Sequence, residues 1–163
     1  MLFTLTSAQG LASEVLVAAV GNDGPSAPPL YPAAYAGVVG VTAVDVRQRV
    51  LLEAGRGPQV DFAARGADLV AATLHGAVVS VRGTSFASPL VAARLVREIA
   101  QPDPFAAQSA IDRLAATAID LGARGPDPIY GIGLVTTLRQ VAVDTSRIAP
   151  DTEENAAVKR MTQ

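Results

Sequence analysis

The stretch "GTSFASPLVAA", residues 83–93, decides how this sequence is interpreted. A turn of small residues that contains Thr84 and Ser85 runs directly into an apolar stretch with helical spacing. A serine or threonine at such a place often caps the helix, because its side chain accepts a hydrogen bond from a free amide of the first turn. The alternative is that Ser85 is a nucleophile, held over the positive end of the helix. The rest of the chain decides between the two interpretations.

Length and composition indicate one domain, or part of one, with a closely packed core. The 163 residues are 50% hydrophobic but only 4% aromatic, so alanine, valine and leucine must fill that core. The net charge of −2, without any basic run, argues against a nucleic-acid partner. The absence of cysteine excludes disulfides and cysteine catalysis, and the single histidine excludes a histidine-rich zinc site. The apolar run at residues 15–20 is too short to span a bilayer, so no membrane partner is expected.

Buried strands and amphipathic helices alternate along the chain. Continuous apolar runs predict strands at residues 15–20 and 38–45, within 59–66 and within 77–83. Helical spacing predicts helices from Ser85 to about Ala100 and from about Pro104 to Ala118, with Pro89 in or near the first turn of the former. The first fourteen residues are predicted to be a helix or its remnant, and residues 137–143 a short helix. This order predicts an α/β sheet with right-handed crossovers.

Two parts of unequal length are predicted. Residues 1–143 form the domain, and residues 144–163 are polar and aperiodic, which is typical of a mobile tail or linker. The N-terminus lacks the basic start and long apolar run of a signal peptide.

Four stretches, in order, resemble the subtilisin-like serine proteases, and a fifth adds to the resemblance. They are "VLVAAVGNDG" (15–24), "VVGVTAVD" (38–45), "VDFAARG" (60–66), "GTSFASPLVAA" (83–93) and "DPIYGIGLV" (127–135). Arg65 stands where the family usually has proline. The resemblance covers roughly Val15 to Val141 and implies a three-layer α/β fold, with a mostly parallel sheet flanked by helices and incomplete at its N-terminal side. It also implies that Tyr31–Pro32 is a cis peptide.

The same resemblance implies roles for individual residues. Ser85 would be the nucleophile of acyl transfer, and its backbone amide and the side-chain amide of Asn22 would stabilise the oxyanion. Residues Ala18, Ala19, Val20 and Gly21 would form one wall of the pocket for the substrate side chain before the scissile bond. The expected substrate is a peptide or protein. Thr84 and Ser88 are interpreted as structural residues that cap the turn and the helix.

The family's Asp-Ser/Thr-Gly and His-Gly-Thr motifs, which carry the other two triad residues, do not occur in this sequence. Asp61, His75 and Ser85 follow each other in the family's order, but the resemblance assigns Asp61 to a different part of the fold. A strand instead of a helix follows His75, which is therefore interpreted as a loop histidine. We expect the chain to keep the oxyanion site and to lack the base, with the missing N-terminal portion of the domain as its partner. That portion would also cover an exposed apolar sheet edge.

Two hypotheses of function remain open. The first is half of a serine endopeptidase, active only with its N-terminal portion. The second is a non-catalytic binding module, or an inactive fragment, that keeps the fold. A nucleotide-binding domain is excluded because no glycine-rich phosphate loop occurs. No cofactor is certain; calcium is possible by resemblance, although no dense carboxylate loop is found. The resemblance implies secretion for most of the family, whereas the chain itself shows no signal peptide.

Overall fold

The computed structural model describes residues 2–5, 15–73, 78–99 and 106–136. Its strands are β1 (Leu2–Leu5), β2 (Val15–Ala19), β3 (Val38–Val44), β4 (Phe62–Arg65), β5 (Leu69–Ala72) and β6 (Val78–Val81). Its helices are α1 (Thr84–Glu98) and α2 (Ala106–Thr117). None of the helices in these segments has the length and hydrophobicity needed to span a bilayer.

The main sheet has the order β1-β2-β3-β4, and its three later strands are parallel. Val17 is in register with Val39, and Val41 with Phe62. Strands β5 and β6 form a separate antiparallel pair that leads into α1. The predicted α/β class with a mostly parallel sheet is therefore confirmed.

Side chains of the parallel strands alternate between two buried layers, as the period of two in a strand requires. One face of the sheet packs against both helices through a single large cluster, which includes Val17, Val41, Phe62, Val91, Leu95 and Leu114. The opposite face forms a smaller cluster of Ala18, Val20, Val38 and Val60 with Ala33 from a loop. Within the described segments, both helices thus cover the same face of the sheet, and loop residues contribute to the cover of the other.

The N-terminal prediction was wrong where the structure tests it. Leu2–Leu5 is strand β1, not helix, and it pairs antiparallel with β2, with Phe3 opposite Val17. This pairing satisfies backbone groups along the outer edge of β2, so among the described strands β1, and not β2, is the outer strand on that side. Residues 6–14, the predicted short helix at 137–143 and the predicted tail at 144–163 lie outside the described residues.

Candidate active site

Two loops meet at the end of the sheet that is formed by the carboxyl ends of the parallel strands. Asn22 lies in the turn that follows β2, and Gly66 follows β4 directly. The Gly83 N–H donates a hydrogen bond of 2.8 Å to the Gly66 carbonyl, which attaches the turn before α1 to this edge. Carboxyl edges of parallel sheets are where α/β proteins most often place their ligands. The Asn22 turn and the Ser85 turn therefore lie together at the edge where a site is expected.

A hydrogen bond joins the two turns. The Asn22 Oδ1 accepts from the Thr84 N–H at 2.9 Å. A backbone amide can only donate, so this contact uses the oxygen of the Asn22 side chain and leaves its Nδ2 hydrogens for another acceptor. Ser85 is the second residue of α1, and its N–H is one of the first four amides that have no partner within the helix. Two donors are thereby brought to the same helix end, and the predicted proximity of Asn22 and Ser85 is confirmed.

The structure excludes Ser85 as the helix cap. Gly83 occupies the N-cap position and has no side chain to cap the helix; the side chain that accepts from the first turn is that of Asn22, from another segment. Ser85 is half-buried and Asn22 is exposed, so both remain accessible from outside. The capping role predicted for Thr84 is wrong, because its buried Oγ1 has no hydrogen-bond partner among the described residues. Ser88 does not cap either: its Oγ donates to the Thr84 carbonyl at 2.8 Å, inside the helix.

Pro89 lies near the first turn of α1, as the sequence predicted. It is the sixth residue of α1, in the second turn, and a regular helix would direct an amide from this position to the Ser85 carbonyl. Proline has no such amide, so the Ser85 carbonyl receives no i→i−4 hydrogen bond. The Ser85 N–H therefore has no i→i−4 partner because of its place at the helix start, and the Ser85 C=O has none because of Pro89.

The predicted substrate wall is the end of β2 and the two residue positions just beyond it. Ala18 and Val20 are fully buried on the sheet face that packs against Ala33, and Ala19 is also buried. Gly21 is half-buried, with a φ of 101°. Of the four predicted wall residues, Gly21 is the one that a substrate could reach most directly. Tyr31–Pro32, in the loop that follows, is cis as predicted.

A further loop, residues 51–56, holds the Asn22 turn in place. The Glu53 carbonyl accepts from the Gly24 N–H at 2.8 Å, and the Gly55 N–H donates to the Gly21 carbonyl at 3.0 Å. The Glu53 carboxylate also accepts from Arg82, at 2.5 Å from Nε and 3.1 Å from Nη2. The hydrogen bond from Arg82 lowers the pKa of Glu53, and the same contact raises the pKa of Arg82. Sequence reasoning missed this ion pair, because no local pattern connects partners 29 residues apart.

Asp61 lies at the opposite end of the parallel strands, where they begin. It directly precedes β4, and its Oδ2 accepts from the Gly40 N–H at 2.7 Å. At roughly 3.3 Å per residue, β4 separates it from Gly66 by about 16 Å. Burial raises the pKa of Asp61, while the hydrogen bond from Gly40 opposes that shift. Asp61 is therefore not a catalytic partner of Ser85, which agrees with its assignment to a different part of the fold. His75 lies outside the described residues.

No group of three histidine, cysteine, aspartate or glutamate side chains in the described segments is arranged to hold a metal ion. Calcium is the metal that the family resemblance leaves possible. A tight calcium site usually takes several carboxylate oxygens, so these segments do not supply a donor set of that kind.

These features define a class: α/β proteins that place a serine in the first turn of a helix, beside an amide donor at the carboxyl edge of a parallel sheet. The chain matches the Subtilase family, Peptidase S8, over residues 4–133. It is 33% identical over 150 residues to the minor extracellular protease Epr of Bacillus subtilis (strain 168). This match covers 91% of the chain and 22% of Epr. It is 33% identical over 118 residues to the halolysin-like extracellular serine protease Nep of Natrialba magadii, covering 72% of this chain and 21% of Nep.

A crystal structure of a lanthipeptide protease has the same fold, with a TM-score of 0.64 at 22% identity, over 73% of this chain and 47% of that one. The chain belongs to the subtilase family. It spans less than a quarter of the length of the two relatives it matches above.

Proposed function

We propose that this chain carries the nucleophile and the oxyanion donors of a serine endopeptidase. The hydrogen bond between Asn22 Oδ1 and the Thr84 N–H supports this most directly, because it joins the Asn22 amide to the residue before Ser85 through the oxygen and leaves Nδ2 available to donate. Ser85 Oγ attacks the carbonyl carbon of a peptide bond and loses its proton to a general base. The negative oxygen of the tetrahedral intermediate accepts from Asn22 Nδ2 and the Ser85 N–H. The C–N bond then breaks, the amine leaves with a proton, and water hydrolyses the acyl-enzyme.

The general base and its aspartate belong, in this proposal, to a portion of the protein outside these 163 residues. Asp61 lies at the opposite end of the parallel strands from the Ser85 turn. The length of β4 separates it by about 16 Å from Gly66, to which that turn is bonded. The small share of Epr that the chain spans, 22%, supports the same division. Residues 1–143 are then the C-terminal part of a peptidase domain, and the names of the extracellular relatives favour an extracellular location for the whole protein.

Covalent labelling tests the roles of Ser85 and Asn22. The chain is incubated with a fluorophosphonate and imidazole, which replaces the absent base, and mass spectrometry locates the label. We expect labelling that Ser85→Ala abolishes. Asn22→Ala should slow it by roughly 10²–10³, a factor that comes from the asparagine donor of subtilisin itself and is carried over here.

The matched control is Ser80→Ala, which removes an exposed serine hydroxyl from β6. It should label at the wild-type rate. Labelling that survives Ser85→Ala would contradict the assignment of the nucleophile. Absence of label, with the Asn22 contact intact, would favour a non-catalytic module that keeps the fold.

A further inference from the structure

We propose that Glu53 is a positioning residue, which sets the placement of the two oxyanion donors relative to each other through its contacts with the Asn22 turn and with Arg82. This inference rests on the proposed function, because it assigns a role to Glu53 within the same site. Glu53 would not touch the substrate. It would act by holding Asn22 and Ser85 in one geometry.

The backbone of the loop that contains Glu53 holds the Asn22 turn at both ends. The Glu53 carbonyl accepts from the Gly24 N–H at 2.8 Å, and the Gly55 N–H donates to the Gly21 carbonyl at 3.0 Å. Asn22 lies between Gly21 and Gly24, so any displacement of this loop is transmitted to the Asn22 backbone. One of the two donors is therefore fixed by the segment around Glu53.

The Glu53 side chain holds the other donor. Its two oxygens accept from Nε and Nη2 of Arg82, in a fork with both nitrogens on one carboxylate. Arg82 lies three residues before Ser85, and the intervening Gly83 is bonded to the sheet edge at Gly66. Glu53 thus contacts the segment that carries Ser85 through its side chain and the segment that carries Asn22 through its backbone.

A role in positioning explains the ion pair between Arg82 and Glu53 better than a contribution to the stability of the fold does. The side chains of Arg82 and Glu53 are 52% and 32% exposed, and ion pairs so open to solvent contribute little to the free energy of folding. A forked arginine–carboxylate contact does fix the relative orientation of its partners. Reactions between positioned groups are sensitive to displacements of about 1 Å, which cost up to roughly 10²-fold in rate. A contact that adds little stability but fixes orientation can therefore still affect the reaction rate at this site.

The test uses the labelling reaction described above, with the maximal rate and the half-saturating probe concentration measured separately. Glu53→Gln keeps the size of the side chain and one oxygen acceptor but removes its charge. We expect it to lower the maximal rate of Ser85 labelling roughly tenfold, within the range that a small misplacement costs, at an unchanged half-saturating concentration. The charge-swapped variant, Glu53→Arg with Arg82→Glu, should recover most of the rate.

Glu98→Gln is the matched control. Glu98 also pairs with arginines, at 3.6 Å from both Arg94 and Arg113, but it lies at the other end of α1 from Ser85. It should label at the wild-type rate. Added salt should slow the wild type more than Glu53→Gln, because ions screen the exposed pair. A loss of rate that the charge swap does not recover, together with a lower unfolding midpoint, would show a merely structural role and overturn the proposal.

A second measurement decides the inference even if no labelling is observed. The side-chain amide of Asn22 is followed in ¹H–¹⁵N spectra of the wild type and of the three variants. We expect its resonances to shift in Glu53→Gln, to return in the charge-swapped variant and to stay in place in Glu98→Gln. Unchanged resonances in Glu53→Gln would overturn the positioning role while leaving the nucleophile unaffected. Labelling that survives Ser85→Ala would overturn the proposed function instead.

Discussion

At the scale of single residues, the backbone conformation of Gly83 allows Thr84 to reach Asn22. Its φ of 133° lies in the region that residues with a side chain rarely adopt. A methyl group added there would lie 3.3 Å from Asn22 Nδ2 and 3.4 Å from Oδ1. The glycine that begins the serine motif thus serves two needs at once, because it permits the turn and leaves room for the amide.

Gly83→Ala should therefore destabilise the fold and move Asn22. We expect the free energy of unfolding, measured in urea, to fall by about 1–3 kcal/mol, the usual cost of a strained backbone conformation. Gly125→Ala is the control: it also has a positive φ, of 80°, but no atom lies within 4 Å of an added methyl. Both variants share the backbone strain, but only the methyl group of Gly83→Ala lies against Asn22. A shift of the Asn22 amide resonances should therefore occur in Gly83→Ala alone. A shift in both, or in neither, would argue against crowding at Asn22.

Asp61 gives a prediction about pH. Burial raises its pKa above the ordinary value of 3.8, so the folded protein holds this proton more tightly than the unfolded chain. Stability is then lost as the pH rises from about 3.8 to the pKa in the folded state, because the unfolded chain ionises first. Asp61→Asn removes the charge and keeps an oxygen for the Gly40 N–H. Its melting temperature should exceed that of the wild type at neutral pH, and the difference should vanish below pH 3.8; parallel pH profiles of the two proteins would refute this.

At the scale of elements, long apolar runs were predictable and short or distant pairings were not. β2 and β3 were predicted because nearly all of their positions are buried on one face of the sheet or the other, which makes their sequences almost entirely apolar. β5 was missed because Leu69–Ala72 is short and alternately half-buried and exposed, and it pairs only with β6. β1 was mistaken for helix because its conformation depends on pairing with β2, ten or more residues away. Local propensity cannot report such a contact.

Helix α1 provides the prediction at this scale. Pro89 removes the amide that would bond to the Ser85 carbonyl, and proline in a helix interior costs about 3 kcal/mol relative to alanine. Pro89→Ala should restore that hydrogen bond and raise the free energy of unfolding by about 1–2 kcal/mol, after the greater freedom of the unfolded chain is counted. Urea unfolding measures the change. Equal or lower stability would mean that packing of the proline ring outweighs the missing bond.

At the scale of the whole molecule, the resemblance predicted more than composition or periodicity did. It implied that Asn22 and Ser85 lie together and that Tyr31–Pro32 is cis, and both expectations are confirmed. Periodicity alone predicted the strands and helices without indicating which turns meet. The contact between Glu53 and Arg82 could not be predicted, because it depends on how two loops approach each other after the sheet has formed. The roles of Ser85 and Asn22 in catalysis remain predictions.

The last prediction concerns peptide hydrolysis by residues 1–163 alone. A serine hydroxyl is essentially un-ionised at neutral pH, and a positioned general base supplies roughly 10²–10⁴-fold in rate. Without one, only the oxyanion donors and binding remain, which in subtilisin, the enzyme this figure comes from, leave about 10³–10⁴ over the reaction in water. That background is negligible beside a working protease, so we expect no measurable turnover of a peptide ester that depends on Ser85. Turnover should appear when an N-terminal portion with the triad aspartate and histidine is added, and Ser85→Ala should abolish it. Turnover by the chain alone that both Ser85→Ala and His75→Ala abolish would contradict this division, because it would make His75 the base.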